Sequence, residues 1–226
     1  MGYRSKRYRS SAEKKRPEPV PVSEAVAILK KFDNAKFDET VELSIKLGID
    51  PKQSNQAVRG SFSLPHGIGK TVKVVVFAEG EAAQKARAAG AIEVGGEDLA
   101  KKILDGWMDF DVAIAHPSMM RHVGKLGRVL GPHGKMPSPK SGTVTDEIER
   151  VVREFVAGKI EFRNDDTGNL HVAMGKQSFP GEKLAANVNA FLDYVRTLKP
   201  PPSKGLFLQK VYLSSTMNPS VPIAVS

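Results

Sequence analysis

The chain has 226 residues, a net charge of +9 and no cysteine, so it has room for two modest domains and excludes disulfides, thiolate metal sites and thiol nucleophiles. Its basic start has no apolar stretch behind it and no apolar run long enough to span a bilayer, which points to a cytoplasmic protein. A hydrophobic share of 40% beside 35 Pro and Gly residues reads as a folded chain with more turns than a helical bundle needs.

Residues 1–16 hold seven cations (Arg4, Lys6, Arg7, Arg9, Lys14, Lys15, Arg16) against Glu13, a charge of +6. Only +3 is left for the rest, 27 basic against 24 acidic residues. Such a segment, with Tyr3 and Tyr8 beside its arginines, reads as an arm toward a polyanion or as a solvated tail. After the prolines at 17–21, Ser23 is a candidate N-cap for a short helix carrying Ala25, Val26 and Leu29. Val41, Leu43, Ile45 and Leu47 alternate with Thr40, Glu42, Ser44 and Lys46, which predicts a strand with one core face and one polar face. A shorter strand follows near Gly60–Leu64.

From Val72 to Ala78 the run is almost wholly apolar, as in a strand covered on both faces. A helix at Glu81–Ala89, a strand at Ile92–Val94, a helix at Glu97–Leu104 and a strand at Asp111–Ala115 continue a βαβα rhythm. Ile148, Val151, Val152, Phe155 and Val156 fall at helical spacing behind Thr145 as cap, and Gly158 ends that helix. Ile160–Arg163 and Leu170–Met174 flank the turn-rich residues 164–169 and read as a hairpin. A helix from Glu182 to Leu198 would bury Leu184, Ala185, Val188, Phe191, Leu192 and Val195, and a last strand runs from about Leu206 to Leu213.

The economical architecture combines α/β and α+β. Both chain ends form a split α+β domain, interrupted by an inserted Rossmann-like three-layer α/β domain. The expected boundaries are 1–21 for a basic N-terminal extension and linker, 22–70 plus 159–226 for the α+β domain, and 71–158 for the insertion.

His66–Thr71 ends in the Gly-Lys-Thr of a phosphate loop, so a nucleotide enzyme is the alternative from another class. The motif needs a glycine where Leu64 stands and a helix after it, whereas an apolar strand follows Lys70. Glycines 124, 127, 131 and 134 fall in no dinucleotide register. His66, His116, His122, His133 and His171 show no metal-ligand spacing, and no serine-nucleophile elbow occurs. Neither catalysis nor a cofactor is expected.

The positive signal is the polar side of the split domain. Lys36 and Phe37 precede the strand bearing Thr40, Glu42 and Ser44; Arg163, Asp165, Asp166 and His171 come from the turn region; Ser214, Ser215, Thr216, Met217 and Asn218 close the last strand. Hydroxyls, few charges and one exposed apolar group suit the shallow minor groove of RNA, where 2′-OH groups are read by shape and hydrogen bonding. An ordinary solvated sheet face has the same composition, and spacing alone does not separate the two.

The stretches KFDETVE (36–42), LGIDPK (47–52), VRGSFSLPHGIGK (58–70), ILDGWMDFD (103–111), GKLGRVLGPHGKMPSPKSGTV (124–144), GKIEFRNDDTGNLH (158–171) and STMNPS (215–220) resemble the ribosomal L-one family, bacterial type. The resemblance spans Val22 to Ser220. It implies the split two-domain fold, binding to the large-subunit rRNA of the mobile stalk, a part in releasing exit-site tRNA, and repression of its own operon through its mRNA. Carried over by position, it places rRNA contacts at Lys36, Phe37, Thr40, Glu42, His171, Thr216 and Met217. Phe37 would supply a packing plane, and Thr40, Glu42 and Thr216 would bond to 2′-OH groups. Met217 would pack on a sugar or base edge, and Lys36 and Arg163 would neutralise phosphate. Asn218 stands where a glycine is usual and is expected to tolerate positive φ. Lys210 and His133 also depart from the pattern. The extension before Pro17 lies outside the resemblance, and the chemistry of Gly131–Pro139 is left open by it.

Overall fold

The computed structural model describes residues 5–53, 55–203 and 205–225. It divides into two compact units, Met1–Gly69 with Phe162–Ser226, and Lys70–Glu161. Tyr3 and Arg4 lie outside the described residues.

In the first unit the alternation of 40–47 becomes strand β1 (Thr40–Leu47), with Val41, Leu43, Ile45 and Leu47 at most 1% exposed. It is flanked by β7 (Asn169–Lys176) and β8 (Leu208–Ser215), both antiparallel to it, and β9 (Val221–Ile223) completes the order β7-β1-β8-β9. Helices α2 (Val22–Lys30) and α8 (Gly181–Thr197) pack together and onto these strands. Phe191 of α8 meets Phe62 and Phe162 edge-on, with ring centroids 5.8 and 5.3 Å away. Those two rings belong to β2 (Arg59–Ser63) and β6 (Lys159–Arg163), which form a two-stranded sheet.

In the second unit β3 (Val74–Phe77) is buried throughout and lies between β4 (Glu93–Gly95) and β5 (Val112–Ala115), all parallel. Val75, Phe77, Ala113 and Ala115 share a core with α4 (Glu97–Leu104) and the short helices α5 (Met120–Val123) and α6 (Gly127–Leu130). Alternation turns Val74 and Val76 to the other face, where α3 (Gly80–Ala88) and α7 (Ile148–Val156) contact the sheet. Helices on both faces of a parallel sheet make the three-layer α/β arrangement.

Several local expectations are corrected. Residues 160–163 and 170–174 are not a hairpin, because β6 pairs with β2 while β7 pairs with β1. The turn between them is closed from within: the Asp165 carboxylate accepts from the backbone N–H of Thr167 (2.9 Å) and of Asn169 (2.7 Å). Those hydrogen bonds hold Asp165 below the usual carboxylate range although burial alone would raise it. Ser23 is not the cap of α2; Ala25 N–H reaches Pro21 O at 2.9 Å, so the first turn closes two residues earlier. Thr145 accepts from Glu147 N–H ahead of α7 and caps nothing. Ala185 is only half-buried; Asn187 takes the core position, donating to Gly67 O (3.0 Å) and Met174 O (2.8 Å). Ile92 and Val156 are exposed.

The described part of the basic extension begins as a packed helix, not as a free arm. Residues Lys6–Glu13 form helix α1, capped by the Ser5 side chain, with Ser11 fully buried. Arg7, Lys14 and Arg16 pair with Glu39, Asp33 and Glu24. Val20 bridges to Ile223.

Candidate nucleic-acid interface

The register of the four-stranded sheet decides which side chains share its polar face. Paired residues on neighbouring strands point to the same side. Ser44 of β1 stands between His171 of β7 and Tyr212 of β8, and Glu42 between Ala173 and Ser214. Thr40 faces Lys176, and Lys46 stands between Asn169 and Lys210. Ser44 Oγ lies 3.1 Å from His171 Nδ1. Lys176 Nζ donates to Thr40 Oγ1 at 3.0 Å. The face extends past the end of β8 through Thr216, whose N–H donates to Thr40 O (3.1 Å) and whose Oγ1 accepts from Thr40 N–H (3.1 Å).

The loop before β1 presents Lys36 and Phe37, held by the two acidic residues that follow. Asp38 accepts from Ser178 N–H (3.0 Å) and Ser178 Oγ (2.8 Å), which ties the loop to the end of β7. Glu39 is fully buried, and its oxygens accept from Ala35 N–H (2.7 Å) and Met217 N–H (3.1 Å). Burial alone would push this carboxyl up. The hydrogen bonds from Ala35, Ser215, Met217 and Arg7 outweigh it and hold Glu39 below its ordinary value. Phe37 and Met217, 53% and 50% exposed, thus project from two segments joined by one carboxylate.

Of the expected contacts, Lys36, Phe37, Thr40, Glu42, His171, Ser214, Thr216 and Met217 come together on or beside this face with their side chains exposed or half-buried. Arg163 and Asp166 are exposed, but on the last residue of β6 in the other sheet and in the turn after it, not in the paired rows. Asn218 is corrected outright. It does not adopt positive φ and is 7% exposed, and its Nδ2 donates to Glu39 Oε2 (3.2 Å) and Ser215 Oγ (3.0 Å). Its amide turns inward.

Four residues of this face are not among the expected contacts: Lys46, Lys176, Lys210 and Tyr212. Period-two alternation of β1 and β8 already puts Lys46, Lys210 and Tyr212 on the polar side, but only the register sets Lys46 directly opposite Lys210. Like charges placed so destabilise a bare sheet. Lys46 is relieved by donating to Thr167 O.

The rival features do not match this. The segment after Thr71 enters strand β3, not a helix, so no helix N-terminus meets the Gly-Lys-Thr turn. A cleft of about 900 Å³ beside α3 and α7 has among its lining charges the ion pairs of Lys85 with Glu81 and Arg153 with Glu149. Among the described residues no group of His, Asp and Glu could hold a metal ion, and no helix is long and apolar enough to cross a membrane.

The sequence profile of the ribosomal protein L1p/L10e family matches residues 29–219. This chain belongs to that family. It is 53% identical over 225 residues to the large ribosomal subunit protein uL1 of Thermus thermophilus, covering 99% of this chain and 98% of the relative. Its identity to the protein of the same name from Rhodopirellula baltica is 55% over 224 residues, covering 99% of this chain and all of the relative. With that of Kosmotoga olearia it is 50% over 224 residues, covering 99% of this chain and 97% of the relative. At 99% coverage these alignments run through the basic N-terminal segment, so that segment is shared with L1 relatives and is not an addition peculiar to this chain.

Proposed function

We propose that this chain is a constituent of the large ribosomal subunit that binds stalk rRNA through the polar face of β7-β1-β8 and the loops at its edge. In this reading it also takes part in releasing exit-site tRNA and represses translation of its own operon by binding the mRNA. The observation that carries the rRNA reading is the convergence of Lys36–Thr40, the outer row of β1, and Ser214–Met217 on one surface.

The surface is hydroxyl-rich, and the cations Lys46, Lys176 and Lys210 lie among its rows. Hydroxyls and Glu42 can exchange hydrogen bonds with 2′-OH groups, His171 and Tyr212 offer ring planes, and the facing ammoniums are relieved by a polyanion. For tRNA, support comes from the second unit. From Pro117 to Thr145 the chain has no carboxylate, and Arg121, Lys125, Arg128 and Lys140 are exposed. Lys135, in the Gly131–Pro139 loop, is instead spent internally on Met108 O (3.1 Å) and Phe110 O (2.5 Å).

Crosslinking the protein to total cellular RNA tests this. Attached fragments should map to one stalk region of large-subunit rRNA, and attached peptides to 36–46 and 208–217. Peptides confined to other segments refute the placement of the site. Operator mRNA should compete with the rRNA fragment; simultaneous binding of both to one molecule would refute a shared site.

A further inference from the structure

Helix α1 is the most basic element of the chain, yet its inner face is spent on the protein itself. Arg7 and Ser11, one helical turn apart, lie on the same side. The Arg7 guanidinium donates to Glu39 Oε1 (3.4 Å), to Asp33 O (3.1 Å) and to Met217 O (3.4 Å). Ser11 Oγ accepts from Asp33 N–H (3.3 Å) and donates to Asn218 Oδ1 (3.3 Å). The same two side chains therefore hold both the loop that presents Lys36 and Phe37 and the turn that presents Thr216 and Met217. Between the two lies Glu39, a fully buried carboxylate that accepts from the backbone of each.

A buried carboxylate without a compensating cation is expensive, and a loop built around it would open to hydrate it. Arg7 is that cation, the charged partner of Glu39. We infer that Arg7 and Ser11 of α1, acting through Glu39 and Asn218, are positioning residues that set the relative placement of the two contact segments of the RNA face. The helix thereby supports specificity, and this role of its inner face is distinct from phosphate neutralisation. The inference rests on the function proposed above.

Two physical roles for Arg7 make opposite predictions. A phosphate contact adds about 0.7 to 0.9 to the salt slope of log K and strengthens binding to any RNA. A positioning residue leaves the slope unchanged and alters only the cognate affinity.

The experiment uses full-length Arg7→Gln, Arg7→Lys and Ser11→Ala, each checked for cooperative unfolding. Affinities for a stalk rRNA fragment and a scrambled RNA of equal length are measured at several salt concentrations. Arg7→Gln should weaken cognate binding about tenfold, with scrambled binding within about twofold and the slope unchanged. Arg7→Lys, which keeps the charge, should recover part of the loss. On the free protein, backbone amide exchange at Ala35 and Met217 should speed up in Arg7→Gln and Ser11→Ala, while Leu43 and Ile45 stay protected. Unchanged exchange at Ala35 and Met217, or equal losses on both RNAs with a smaller slope, overturns the positioning role. If the wild-type protein fails to distinguish the two RNAs, the RNA reading falls by itself, and the exchange data still decide whether α1 holds the segments.

Discussion

Replacing Thr216 separates what the protein uses from what RNA could use. A hydroxyl has one donor and two acceptor lone pairs. One lone pair of Thr216 Oγ1 takes Thr40 N–H at 3.1 Å, and the O–H reaches Thr40 O only at 3.3 Å. One lone pair is left free, and the weakly held proton can be redirected to a ribose hydroxyl. Because the side chain is exposed, removing the hydroxyl lets water replace its internal bonds, and stability should fall by no more than about 1 kcal/mol. In a dehydrated RNA contact the same loss leaves a partner unpaired and costs about 1–3 kcal/mol, or roughly 5- to 150-fold in Kd. Thr216→Val keeps the shape and should show this loss; Thr216→Ser keeps the hydroxyl and should bind within about threefold of wild type. Neither touches a charge, so the salt slope should stay constant. Fluorescence anisotropy with cognate and scrambled RNA at several salt concentrations, beside urea unfolding, measures all three quantities. Equal affinity of the Val and Ser variants, or a changed slope, refutes the role assigned to this hydroxyl.

Three further outcomes are expected. Glu39 is held below its ordinary value of 4.5, so its contribution is present above that pH and is lost as pH falls through the depressed folded value. Urea midpoints followed down from pH 6 should decline less steeply in Glu39→Gln, and parallel curves would contradict the network. Phe191→Ala, removing a fully buried ring packed against Phe62 and Phe162, should cost about 3–5 kcal/mol by urea unfolding, a loss under about 1 kcal/mol being incompatible with that packing. A chain with 71–158 deleted and the ends joined should fold and still bind the stalk fragment, since every proposed rRNA contact lies outside that span and β2 and β6 flank the joint. A folded but non-binding product would move the site into the second unit.

The sequence alone determined whatever depends on local periodicity. Alternation at 40–47 set both the bounds of β1 and its polar face, because side chains on a strand repeat every two residues whatever its neighbours are. The apolar spacing of α8 likewise named five of its six buried residues, missing only Asn187, whose burial depends on carbonyls from two other segments. Ordered motifs across the chain were enough to indicate the family. The tertiary structure decided which strand lies beside which. Residues 164–169 have the composition of a hairpin turn, yet Asp165 closes the turn upon itself and frees the flanking strands to join different sheets. It also decided the partners of polar groups far apart in the chain. Glu39 and Met217, separated by 178 positions, meet only after β1 and β8 align, and that meeting draws in Asn218, Arg7 and Ser11. A charge run shows how many cations are present; where they go depends on which buried carboxylate the fold leaves in need of one.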